Sequence, residues 1–110
     1  MSKFFSLQDD FTLNINTSSS EVRYNISDNI LIPCVVDGYP YPKVQWKFNL
    51  LGLQYVDIKN VTQIDFPSKS ITYLNFTNVE KRYNGTYKCQ TIDGSKSKTV
   101  DIIIQSNFII

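Results

Sequence analysis

Tyr83-Asn84-Gly85-Thr86-Tyr87-Lys88-Cys89 carries the densest set of fold markers in the chain. It closes on one of only two cysteines, places a tyrosine two residues before it, and lies downstream of the lone tryptophan, Trp46. The other cysteine, Cys34, lies 55 positions upstream. That separation matches no metal-ligand spacing, and two cysteines cannot close a structural zinc site in a chain without histidine. Two readings stay open from the residues: a disulfide across a long loop, or two unpaired buried thiols. A disulfide would constrain the unfolded chain by roughly 4 kcal/mol in the chain-entropy model, and it belongs to an oxidising compartment.

The same stretch carries a second signal. Asn84-Gly85-Thr86 is an N-glycosylation sequon, and Asn16, Asn25, Asn60 and Asn75 begin four more. With ten asparagines and nineteen serines plus threonines in 110 residues, chance predicts about two sequons. The excess points to the secretory pathway and favours the disulfide.

Outward from the stretch, hydrophobic alternation marks out strands. Phe11, Leu13 and Ile15 share a face. Thr17-Ser18-Ser19-Ser20 reads as a kink in an edge strand, after which Val22, Tyr24 and Ile26 resume the alternation. Ser27-Asp28-Asn29 turns the chain, and Ile30, Ile32, Cys34 and Val36 set the first cysteine on an inward face. Pro33 interrupts that strand and costs a ladder bond unless its nitrogen faces an unpaired position. Val44, Trp46 and Phe48 form the next inward row. Asp57 to Asp65 is polar, with a short strand over 62–66. Pro67-Ser68-Lys69 leads into a strand whose Thr72, Leu74 and Phe76 face in while Ile71, Tyr73 and Asn75 face out, leaving the Asn75 sequon accessible. Beyond the opening stretch, Tyr87, Cys89 and Thr91 share a parity, Asp93-Gly94 signals a two-residue type I′ hairpin, and Val100, Ile102 and Ile104 face in.

A cysteine followed by Gly38-Tyr39-Pro40-Tyr41-Pro42 and then by Trp46, with Leu74-x-Phe76-x-x-Val79 leading into Tyr83–Cys89, resembles the I-set class of immunoglobulin domains over roughly 11–104. The resemblance implies an all-β, two-sheet antiparallel Greek-key sandwich. One inter-sheet disulfide, Cys34 to Cys89, would pack on Trp46, and the Tyr87 hydroxyl would bond back to the preceding corner. Tyr83 departs from the pattern. The family usually has an aspartate there, often paired with an arginine across the base of the sandwich, so that salt bridge is expected to be missing. Asn84 beside it makes a glycan-covered or reshaped corner the expectation. A second departure is Asn49-Leu50-Leu51-Gly52-Leu53-Gln54-Tyr55, where the pattern would continue with a short polar turn. One reading tucks Leu51 or Leu53 under the sheet to close the core; the other makes the segment an apolar contact surface.

The domain is expected to span 9–105, with 1–8 and 106–110 as flanking tails or linker remnants. The N-terminal residues lack the apolar core of a signal peptide, so the chain reads as an excised piece. Eleven basic against ten acidic residues leave no electrostatic footprint for nucleic acid or an anionic membrane. The missing histidine removes the commonest general base, the scattered glycines form no phosphate cradle, and no Asp-x-Asp spacing suits calcium. No enzyme, cofactor or metal is expected. What remains is a non-catalytic, extracellular protein-protein recognition module of a cell-surface receptor or adhesion molecule, the setting in which the resembled class is common. The alternative is a secreted decoy receptor capturing a host cytokine or growth factor. The partner would be another extracellular protein, a second copy included, with no nucleic acid and no direct membrane insertion. Tyr39, Tyr41, Leu50, Leu51 and Tyr55 are the expected partner contacts, because large aromatic and apolar groups dominate interface energy.

Overall fold

A computed structural model describes residues 11–17, 19–50, 52 and 54–106. Among them the strands are β1 (Thr12–Ile15), β2 (Glu21–Asn25), β3 (Ile30–Asp37), β4 (Val44–Leu50), β5 (Gln54–Asp57), β6 (Val61–Phe66), β7 (Lys69–Phe76), β8 (Gly85–Thr91) and β9 (Ser97–Gln105). A four-stranded sheet runs in the order β1-β3-β7-β6 and a five-stranded sheet in the order β2-β9-β8-β4-β5. The two sheets form the expected sandwich. Leu51, Leu53 and residues 1–8 and 107–110 lie outside the described residues, so the two readings of the leucine-rich turn fall there.

The inward rows follow the two-residue period of the strand. On β3, Ile30, Ile32, Cys34 and Val36 are buried; on β7, Ser70, Thr72, Leu74 and Phe76; on β9, Val100, Ile102 and Ile104. Each large apolar side chain so buried contributes on the order of 1.5–3 kcal/mol relative to exposure. Cys34 and Cys89 are bonded across the core. Trp46 stands opposite Cys89 on the neighbouring strand and is fully buried, its indole Nε1–H donating to the Thr72 carbonyl at 2.9 Å. A buried donor left unpaired would cost about 1–3 kcal/mol, so this bond lets the largest core side chain bridge the sheets.

The polar break after β1 does more than kink an edge strand. β1 pairs antiparallel with β3 in one sheet, whereas β2 pairs parallel with β9 in the other. The chain changes sheets, and the otherwise antiparallel sandwich gains one parallel pair. Pro33 marks the crossing point. Its carbonyl accepts the Asn16 N–H at 3.1 Å, one residue past the end of β1. In an antiparallel rung a residue's N and O point to the same neighbour, so the missing proline N–H falls where β1 is already leaving the sheet.

The opening stretch builds the corner entering β8. The Tyr87 hydroxyl donates to the Tyr83 carbonyl at 2.6 Å, and burial pushes that hydroxyl above its ordinary pKa. Gly85 has φ +150°, and a Cβ there would stand 2.7 Å from Phe48 Cε1, so only glycine fits under that ring. Tyr83 places its ring edge-on to Phe76 at 4.9 Å, and Arg82 lies over the Tyr83 ring while pairing with Glu80. Aromatic packing thus occupies the position where the resembled class carries an aspartate.

The type I′ hairpin expected at Asp93-Gly94 does not form. The connection runs from Ile92 to Lys96, and of its central pair Gly94 has positive φ while Asp93 does not. Side chains override the dipeptide signal. Thr91 Oγ1 donates to Asp93 Oδ1 at 2.9 Å, the Ser95 N–H donates to the same oxygen at 2.9 Å, and the Lys96 N–H donates to Thr91 Oγ1 at 3.1 Å. The bonds from Ser95 and Thr91 also hold the Asp93 carboxyl below its usual range.

Candidate recognition surfaces

Three turns meet at one end of the sandwich. Gly38 N–H donates to the Ser68 carbonyl at 2.8 Å and Ile92 N–H to the Lys43 carbonyl at 3.0 Å. The Tyr41 hydroxyl donates to the Phe66 carbonyl at 3.1 Å. The β3–β4, β6–β7 and β8–β9 connections are therefore tied into one tip. Tyr39 is 72% exposed there and Ile92 66%, and Phe66 is exposed at the end of β6. Tyr41, half-buried, serves as the strut between two of the turns, and desolvation, aided by the Asp65 carboxylate, pushes its hydroxyl pKa up. Hydrogen bonds from Gln63 and Ser70 hold Asp65 itself below the ordinary carboxylate range.

The expected contact residues do not converge. Tyr39 and Tyr41 belong to this tip, whereas Leu50 ends β4 and Tyr55 lies on β5 opposite Asn49. A seven-residue strand, roughly 20 Å long, separates the two groups. Leu51 lies outside the described residues, and of Leu50 only the backbone is described. Tyr55 faces outward under Lys88, whose Nζ sits 4.0 Å from the ring centroid.

The outer face of the five-stranded sheet around Tyr55 is polar. Lys47 pairs with Asp57 at 3.3 Å, and Thr86 Oγ1 donates to Asp101 Oδ1 at 2.7 Å. The outer face of the four-stranded sheet carries an apolar patch, with Leu31 58% and Ile64 44% exposed. Neither of these, nor Ile92 and Phe66 at the tip, is among the expected contacts. One signal was present: Ile30-Leu31-Ile32-Pro33-Cys34-Val35-Val36 carries no polar residue at either parity, which supplies apolar groups to both faces of a strand.

The sequon asparagines avoid the tip. Asn25 ends β2, Asn60 precedes β6, Asn75 is the penultimate residue of β7 and Asn84 precedes β8, all toward the opposite end, while Asn16 follows β1 at mid-sheet. Asn84 accepts the Ile104 N–H through Oδ1, tying the corner to β9. A groove of about 390 Å³ opens at this end, lined by Phe48, Asn60, Phe76, Arg82, Tyr83 and Tyr87 among others. Among the described residues, no group of three or more Cys, Asp or Glu is placed to hold a metal ion, and no helix is long and apolar enough to cross a membrane.

The chain matches the family model described as "Immunoglobulin domain" over residues 14–92. It is 26% identical over 88 residues to Junctional adhesion molecule A of Rattus norvegicus, covering 69% of this chain and 27% of that protein. The chain thus spans about a quarter of that relative's length. Among solved structures it resembles Dpr2 Ig1-Ig2 in complex with DIP-Theta Ig1-Ig3, at TM-score 0.66 and 16% identity, covering 86% of this chain and 32% of that one. It also resembles a chimeric titin Z1Z2 carrying an exogenous peptide from decorin, at TM-score 0.61 and 15% identity, covering 88% and 95%. At these identities the structural likenesses carry the fold.

Proposed function

This chain belongs to the immunoglobulin domain family, and from that premise we propose that it is a non-catalytic, extracellular protein-recognition module of a cell-surface adhesion molecule or receptor. The likeness to an adhesion molecule, the disulfide and the sequon excess support that setting. The observation that carries the reading is the tip: Tyr39 and Ile92 stand largely exposed on turns tied together by main-chain hydrogen bonds. Exposed aromatic and apolar groups on loops held by a rigid scaffold contribute binding energy without a large ordering cost. The partner is another extracellular protein, and the neighbour in an immunoglobulin complex makes a partner of the same fold the first to try.

The test screens the disulfide-bonded chain against displayed extracellular domains, a second copy included. Tyr39→Ser with Ile92→Ser is expected to weaken the binding found by about tenfold or more, as loss of a central anchor does, while Tyr55→Ser leaves most of it. Unchanged affinity in the tip variant, with loss on Tyr55→Ser, would transfer the site to the β4–β5 edge. A full reading frame continuing into a membrane span would eliminate the secreted decoy.

A further inference from the structure

The apolar outer face of the four-stranded sheet is bordered by sugar acceptor sites brought in from distant parts of the chain. Register places Leu31 opposite Asn75, Pro33 opposite Tyr73 and Val35 opposite Ile71. On the next strand, Thr62 lies opposite Tyr73 and Ile64 opposite Ile71. Tyr73 and Asn75 are successive outward residues of β7, since Thr72, Leu74 and Phe76 are buried. Two other sequon asparagines close on the same patch. Asn60 accepts the Asn75 N–H at 2.9 Å through its carbonyl, and Asn16 donates its N–H to the Pro33 carbonyl at 3.1 Å.

We propose that an N-glycan on Asn75 lies over the patch centred on Tyr73 and Leu31, so that this face is covered by the chain's own sugar. The inference rests on the extracellular reading, because the sugar is added during secretion. In the attachment, the C1–O bond between the first sugar and a polyprenyl diphosphate donor breaks, C1 bonds to Asn75 Nδ2, the amide loses one proton and the diphosphate leaves. One N–H remains on Nδ2. It keeps a donor on Nδ2 within reach of Thr62 Oγ1, 3.3 Å away on the neighbouring strand.

The chemistry of the cover is specific. An N-acetylglucosamine ring presents C–H groups on its flat side, which match the electron-rich face of the Tyr73 ring and the aliphatic carbons of Leu31. Same-face neighbours on a strand stand roughly 7 Å apart, within reach of the first sugar. Tethering makes the contact intramolecular, with an effective concentration around the millimolar range, so a weak stacking contact is populated. Exposed apolar surface of this kind otherwise marks a protein interface or an aggregation site.

The chain is to be secreted from glycosylating cells and each sequon's occupancy read by peptide mass spectrometry. Hydroxyl-radical footprinting of Tyr73 and binding of an apolar dye then compare wild type with Thr77→Ala, which removes the Asn75 sequon from an exposed position. Ser27→Ala, which removes the Asn25 sequon on the other sheet, is the control. We expect Asn75 to be occupied, Thr77→Ala to raise both signals about twofold or more, and Ser27→Ala to raise neither. Trimming the folded glycoprotein to a single N-acetylglucosamine should keep most of the protection of Tyr73. Bare Asn75, or a Tyr73 footprint indifferent to its sugar, overturns the proposal. Sugar on other sequons beside a bare Asn75 leaves the extracellular reading standing; no sugar on any sequon of the secreted chain counts against both.

Discussion

The two sheets share one core but turn opposite surfaces to solvent. On the five-stranded sheet the outward residues of β4 and β8 are polar and several partner groups on β5 and β9, as in Lys47 with Asp57, Lys88 with Tyr55 and Thr86 with Asp101. On the four-stranded sheet the outward row of β3 is Leu31, Pro33 and Val35, continued across β7 and β6 by Ile71 and Ile64. By the usual rule the apolar face would be the interface. Here that face is the one bordered by Asn16, Asn60 and Asn75, while the tip that carries Tyr39 and Ile92 has no sequon. The contrast teaches that exposed apolar area must be weighed together with what the chain attaches beside it.

Both faces depend on the core that the two sheets share. Replacing both cysteines, Cys34→Ala with Cys89→Ala, is expected to cost about 2–5 kcal/mol, measured by denaturant unfolding, and to disturb both faces together. A loss confined to one sheet would mean that the disulfide does not set their common core. A smaller effect separates the faces. In the sugar-free chain, Leu31→Ser with Ile64→Ser should lower apolar-dye binding while shifting stability by about 0.5 kcal/mol or less. Lys47→Ser with Lys88→Ser should leave the dye signal unchanged, and an equal drop from both pairs would erase the distinction.

The smallest effect concerns the tip. Asp93 is held below its usual pKa by the Ser95 N–H and by the Ser95 and Thr91 side chains. Because the folded value is depressed, the carboxylate's support for the β8–β9 turn is full above the ordinary aspartate pKa. That support is lost as pH falls through the lowered one. Amide exchange at Ser95 and Lys96 is therefore expected to gain protection as pH rises through that acidic window, after correction for intrinsic rates, and Asp93→Asn should flatten the profile.

Much of the scaffold was legible because strand faces obey a local period of two. Val100, Ile102 and Ile104 could be assigned inward from alternation with Thr99, Asp101 and Gln105; on the run from Ile30 to Val36, apolar at both parities, the parity shared with Cys34 made the choice, and Tyr87 and Cys89 took their roles from the resemblance they carry. The β8–β9 turn was misread because Asp93-Gly94 was weighed without the Thr91 hydroxyl that reorganises it. The candidate site was legible in its residue types but not in its grouping. Tyr39 and Tyr41 fell at one end of β4, with Leu50 and Tyr55 toward the other.

Spacing and short motifs carry the class of fold, the inward rows and the acceptor asparagines, and the family resemblance they support carries the pairing of Cys34 with Cys89. Only the tertiary structure decided that β2 joins the sheet opposite β1, that three turns meet under Tyr39 and Ile92, and that Asn16, Asn60 and Asn75 gather around Tyr73. Those are matters of register between strands far apart in the chain, set by how two sheets bury a common core rather than by any local run of residues.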